Sequence, residues 1–233
     1  CEMAEEKIAE RIDANLLDTN IQTLSDPLFS RQKYQNKIDI LNQKTQGKLI
    51  IKEYPTASAN ANHFKSLLNE LSLKKGFKPH IIFVDYLNIC ASSRYKGNIV
   101  NSYTYVKSIA EELRGLAGEF NVPIVSATQT TRSGYGNSDV ELTDTSESFG
   151  LPATADIMFA LISTEEMENL NQIMVKQLKN RYNDPTMNKR FVLGIDRAKM
   201  RLYDCDQAQQ NIVDSGQEVV DMPIKKSFAE LKV

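Results

Sequence analysis

Tryptophan is absent from the 233-residue chain, histidine occurs twice and cysteine three times. Cys1, Cys90 and Cys205 are far apart and show no CxxC spacing. With so few histidines, that leaves neither a zinc site nor a disulfide framework, and the thiols read as buried or incidental. No apolar run approaches the length needed to cross a bilayer, and the start has no basic stretch leading into an apolar one, so the reading is a soluble intracellular protein. Charge of one sign is also missing: 28 basic residues stand against 30 acidic ones, a formal balance of −2. That total gives no support for a nucleic-acid partner, although a balanced chain can still carry a basic channel, which has to be argued from position. What is present is ordinary globular composition, 41% hydrophobic and 25% charged, enough to bury one sizeable core.

The hydrophobic pattern alternates between helix and strand periods. Ala4, Ile8, Ile12 and Leu16 recur every four positions and predict an amphipathic helix over residues 3–17. A polar helix is expected over 30–41, and another over 58–75, with Phe64, Leu67, Leu68 and Leu71 on one face and Gly76 ending it. The stretch over 98–120 repeats the helical spacing at Ile99, Val106, Ile109, Ala110, Leu113 and Leu116. Strands are expected at 48–54, 80–90, 122–129, 155–162, 172–179 and 190–196. This order predicts an α/β domain with a mostly parallel central sheet flanked by helices, the late strands adding an antiparallel edge. Residues 133–150 are rich in Gly, Ser and Asp and long for a connection, which marks function or mobility.

In an open α/β sheet, ligands bind beyond the carboxyl ends of the parallel strands. In "HIIFVDYLNIC", residues 80–90, an apolar run ends in Asp85, and "VPIVSATQ" ends in Gln129. A strand-end carboxylate fits two readings equally: it holds Mg²⁺ through water beside a nucleotide, or it caps the following turn. Lys179 and Arg181, two positions apart on one expected strand, point the same way, either toward a ligand or as the polar face of an edge strand.

Several blocks, taken in order, resemble the replicative helicases of the DnaB type, hexameric motors with a RecA-like ATPase domain, and especially the branch found in T-even bacteriophages. "EMAEEKIAERIDANLL" is similar to the block around a catalytic glutamate, here Glu2. "IIFVDYLNI" is similar to the Walker B strand, with Asp85 on the magnesium side, and "IVSATQTTR" to the block of a γ-phosphate sensor, here Gln129 followed by Arg132. "DTSESFGLPATAD" resembles a DNA-binding loop, and "KQLKNRYND" the segment with a lysine and an arginine finger, here Lys179 and Arg181. The resemblance implies ATP and Mg²⁺ as ligands, a ring hexamer, single-stranded DNA as track, and a primase and a helicase loader as partners. If phage-encoded, the protein would work in the cytoplasm of a bacterial host. DNA contacts are expected from Arg94 and Lys96 in "SSRYKGN" and from Ser146, Glu147 and Ser148. The family commonly has an arginine before that glutamate; Ser146 stands there instead, which shifts the expectation toward hydroxyl and backbone donors. Tyr203, in "RAKMRLYD", is expected either beside the adenine base or in the core.

One family element is missing. A GxxxxGK loop followed by Ser or Thr, which cradles phosphates with backbone N–H groups and a lysine, occurs nowhere; the only Gly-Lys pair, Gly47-Lys48, is followed by Leu49. The expectation is therefore a single RecA-like domain over 1–233 lacking its N-terminal strand and phosphate loop, with a flexible tail at 207–233, and little activity of its own. A RecA-like binding or assembly module without hydrolysis is the competing expectation.

Overall fold

The computed structural model describes residues 3–26, 28–45, 47–95, 101–130, 142, 150–184, 187 and 189–206. Glu2, Lys96, Arg132, Ser146, Glu147, Ser148 and the tail 207–233 lie outside the described residues.

Three helices come first: α1 (Glu5–Leu16), the single turn α2 (Ile21–Leu24) and α3 (Arg31–Lys44). The buried contacts of α1 come from Ala14 and, just past its end, Leu17, whereas Leu16, expected on the apolar face, is 53% exposed. The helix turns Leu16 outward because its end is tied from the other side: Lys37 of α3 donates to the Leu17 carbonyl and to the Thr19 hydroxyl, and Tyr34 donates to Asp13 at 2.6 Å. That bond to a carboxylate, with burial, pushes the Tyr34 phenol up to about 12.

Residues 48–54, expected as a strand, form none. The Glu53 amide donates to the Glu5 carboxylate at 2.8 Å, so a side chain takes the group a strand neighbour would have used. That bond and Lys52 hold the Glu5 carboxyl below the ordinary range. Helix α4 (Ala61–Lys75) then begins at Asn60, whose side chain accepts from the Asn62 and His63 amides, and ends at Gly76 with φ 59°.

The core is built on α5 (Ser102–Phe120), capped by Asn101 at its start and by Asn121 with φ 49° at its end. Its buried face carries Val106, Ile109, Ala110, Leu113 and Leu116, as the helical spacing predicts. Against it pack Val84, Leu87 and Cys90 from the region of β1 (Ile82–Val84) and Leu151, with the partly buried Ile124 of β2 (Ile124–Ser126) at the core's edge. Burial also pushes the Cys90 thiol up to about 11, leaving it an inert core group. β1 and β2 pair in parallel with Val84 opposite Ser126. The run 80–86 reads as a strand covered on both faces, yet β1 within it is covered on one: Val84 packs in the core while Phe83 is 70% exposed.

After α6 (Gly150–Thr154) the chain forms a four-stranded antiparallel meander, ordered β3 (Ile157–Ile162), β4 (Gln172–Asn180), β5 (Arg190–Asp196) and β6 (Arg201–Asp204). The one-turn helix α7 (Glu165–Asn169) connects the first two. The α/β class is as expected, with a parallel pair and an antiparallel sheet flanked by helices. Among the described residues, no helix is long and apolar enough to cross a membrane.

Candidate functional site

Asp85 follows β1 directly and Gln129 lies three residues beyond β2, so parallel pairing brings the two together at the same, carboxyl, end. The neighbouring backbone locks that geometry. Ser126 Oγ donates to the Val84 carbonyl at 2.7 Å, the Leu87 amide to the Ala127 carbonyl at 3.2 Å, and Thr128 Oγ1 to Asn88 Oδ1 at 2.8 Å. Gln129 Nε2 donates to the Tyr86 hydroxyl at 3.3 Å, connecting the amide to the residue next to Asp85. Both Asp85 and Gln129 are exposed, so their side chains face solvent rather than the core.

Among the described residues no cluster of three His, Cys, Asp or Glu side chains could enclose a metal. A single exposed carboxylate at a strand end fits Mg²⁺, which keeps most of its water and takes one or two carboxylates plus phosphate oxygens.

Lys179 and Arg181 lie elsewhere. Lys179, near the end of β4, pairs with Met158 of β3, and Arg181 follows the strand's last residue. Their side chains do point the same way, toward α6 and the start of β3. Lys179 Nζ donates to the carbonyls of Pro152 at 2.6 Å and Ala153 at 3.4 Å. Arg181 Nη1 donates to Asp156 Oδ1 at 2.6 Å and its Nη2 to the Ala153 carbonyl at 3.2 Å. Arg114 of α5 completes the group, donating through Nη1 to the Thr154 carbonyl at 2.7 Å and to Asp156 Oδ2 at 2.9 Å. The last carbonyls of α6 thus receive three cations, the charge a helix C-terminus favours. Burial and the charges of Arg181 and Arg114 lower the Lys179 pKa, against the pull of Asp156.

Asp156, the last residue of "DTSESFGLPATAD", and Arg114 carry no role in the sequence reading. The only signal for Asp156 was a carboxylate opening an apolar strand, the same pattern that singled out Asp85 at a strand's close.

Arg94 is held at the surface by Glu111 of α5, with Nη1 at 2.6 Å from the carboxylate. The adjacent Glu112 organises the turn carrying it, accepting from Ser92 Oγ at 2.6 Å, Ser93 Oγ at 2.7 Å and the Ser93 amide at 2.9 Å. Burial raises the Glu112 pKa, but these donors outweigh it and the carboxyl ends below its ordinary value. A group depressed in the folded state stabilises above its unfolded pKa, and that contribution is lost as pH falls through the folded value. Glu112→Gln is therefore expected to cost about 1–2 kcal/mol at pH 7 by urea denaturation. The gap from wild type should shrink as the pH falls below the ordinary carboxylate range; a gap constant over that window would contradict the assignment.

Tyr203 lies on β6 opposite Gly194 of β5, its ring covering the glycine so closely that a side chain there would collide with it. That is a cross-strand aromatic over glycine, with Tyr203 47% exposed.

Comparison with known proteins gives the frame for this geometry. Residues 1–192 match the family of the DnaB-like helicase C terminal domain. A DnaB-like replicative helicase of Enterobacteria phage T4 is 47% identical over 207 residues, covering 88% of this chain and 44% of that protein. A probable plasmid replicative DNA helicase of Chlamydia psittaci is 29% identical over 188 residues, covering 78% of this chain and 39% of that protein. The chain thus spans less than half the length of these curated relatives. Among solved structures, an ATPase domain superposes with a TM-score of 0.72 at 18% identity, covering 88% of this chain and 72% of that one. A DnaB-like replicative helicase described with its interactions with primase gives 0.69 at 18% identity, over 88% of this chain and 49% of that one. The chain belongs to the DnaB-like helicase C-terminal domain family.

Proposed function

We propose that the chain is the ATPase portion of a hexameric replicative helicase that couples ATP hydrolysis to 5′-to-3′ movement on single-stranded DNA and to duplex unwinding. The observation that carries this is a division of labour. Asp85 and Gln129 stand together at the carboxyl end of the parallel pair, whereas among the described residues the Lys179 and Arg181 side chains bond toward residues 152–156. Such a split suits a nucleotide bound by one protomer and completed by the next, the heterologous contact from which rings are built.

Mg²⁺, held through water by Asp85, would neutralise charge on the phosphate oxygens. Glu2 orients the attacking water and takes up its proton. Gln129 donates to the γ-phosphate and gives up its bond to Tyr86 when it does so, which makes it a sensor of the phosphate. Arg181 and Lys179 stabilise charge on the transferred group from the neighbouring protomer, and Arg132 and Tyr203 are assigned to nucleotide binding. Arg94, Lys96, Ser146, Glu147 and Ser148 are assigned to DNA binding, with a primase and a loader as protein partners in a bacterial host's cytoplasm. The 233 residues alone, with no phosphate-cradling loop in their sequence, should turn over little ATP.

The test is the protein expressed with its upstream coding sequence. Native mass spectrometry with a non-hydrolysable ATP analogue is expected to give a hexamer, and single-stranded DNA to stimulate Mg²⁺-dependent hydrolysis. A monomer without nucleotide turnover would instead identify a RecA-like assembly module.

A further inference from the structure

We propose that Asp156 is a positioning residue: it sets the Arg181 guanidinium, braced from behind by Arg114, for the site Arg181 completes on the neighbouring protomer. The inference rests on the trans role of Arg181 and adds a residue to it.

Arg181 is held at three points, two of them on Asp156. Asp156 Oδ1 accepts from Nη1 at 2.6 Å, its own carbonyl accepts from the Arg181 amide at 2.9 Å, and the Ala153 carbonyl three residues earlier accepts from Nη2 at 3.2 Å. The second carboxylate oxygen is used by Arg114 at 2.9 Å, so the carboxylate is fixed from α5 while it fixes the strand end. One arginine on each oxygen is a geometry that neither guanidinium could hold alone, since each would drive the other away without the shared anion.

Charge counting separates positioning from neutralisation. Arg114, Lys179 and Arg181 carry three positive charges against one on Asp156, so the cluster keeps a net +2. The Arg181 side chain is still 41% exposed, with its remaining N–H donors unspent on Asp156. The cluster therefore remains suited to an anion while its members are prevented from scattering. Long arginine side chains lose much rotamer freedom on binding, and one already held in place loses less.

The experiment uses the full-length ring with Asp156→Ala, Asp156→Glu and Arg181→Ala. Asp156→Ala is expected to lower kcat for DNA-stimulated hydrolysis between about tenfold and a hundredfold, a loss of the size misplacement produces, with KM for ATP within about twofold. Asp156→Glu should recover part of that loss, because a carboxylate is restored. Each variant is also mixed with a Glu2→Gln/Asp85→Asn double variant, which has an intact trans side only. Asp156→Ala should regain turnover in those mixed rings as Arg181→Ala does. If Arg181→Ala is complemented and Asp156→Ala is not, or if Asp156→Ala matches or exceeds wild-type turnover, Asp156 is no positioning residue and the trans role of Arg181 stands. If neither is complemented, the trans role itself fails and the inference falls with it.

Discussion

Arg181→Ala in the full-length protein is expected to reduce DNA-stimulated ATP turnover by about 10³-fold or more, the range associated with an arginine supplied in trans to a transferring phosphoryl group. The effect should be on kcat. Arg181 has no bond to Asp85 or Gln129; its partners are Asp156 and Ala153 of its own protomer, so nucleotide affinity measured with a fluorescent analogue should change little. Its loss also leaves the fold intact, because a partly exposed ion pair contributes at most about 1 kcal/mol. A mixing experiment isolates the geometry. In a random half-and-half ring of Arg181→Ala with Glu2→Gln, about one quarter of interfaces pair an intact cis side with an intact trans side. Turnover should recover to roughly that fraction of wild type, although each variant alone is inactive. Normal hydrolysis by Arg181→Ala would end the finger assignment outright.

The elements that periodicity identified are those whose core decides their form. Helix α5 carries its apolar residues at helical spacing and buries them against β1 and Leu151, so pattern and packing agree. Three strands of the antiparallel meander, β3 to β5, were legible for a similar reason, each a run with apolar residues between turn signals, whereas the exposed β6 was not among the expected strands. Residues 48–54 misled because composition there has the look of a strand while the decisive partner, Glu5, is some 48 positions away and acts through its side chain. Leu16 misled because the end of α1 is fixed by Lys37 and Tyr34, polar contacts that a count of apolar residues does not register.

The candidate site divides along the same line. Asp85 and Gln129 were legible because strand ends are where α/β sheets expose ligand-binding groups, and parallel pairing then places them together. Lys179 and Arg181 were legible as a pair on one face, and both do reach the same short helix. Asp156 was not, since its meaning depends on two arginines, 42 and 25 positions away, that only the folded chain brings to its two oxygens. The same holds for Glu112, a helix residue that periodicity assigns to the polar face and that the fold uses to shape the turn bearing Arg94.

Asp85→Asn should be nearly as damaging as loss of the finger, but with a different signature. A carboxylate holding Mg²⁺ through water acts by fixing the ion against the phosphate oxygens, a contribution of several kcal/mol to the charged transition state. An amide of the same shape keeps the packing of Val84 and Leu87 against α5 and keeps Gln129 beside Tyr86, so the fold and hexamer formation should be retained. The charge alone is lost, and DNA-stimulated turnover should fall by about 10²-fold or more. Raising Mg²⁺ should recover a small part of it, because the ion can still arrive with the nucleotide but is no longer oriented. Arg181→Ala should show no such dependence, since its defect lies on the opposite side of the phosphate. The Mg²⁺ titration therefore separates the two residues. If Asp85→Asn hydrolyses ATP normally at low Mg²⁺, the strand-end carboxylate only caps the turn at residues 87–89, and the metal site must be sought elsewhere.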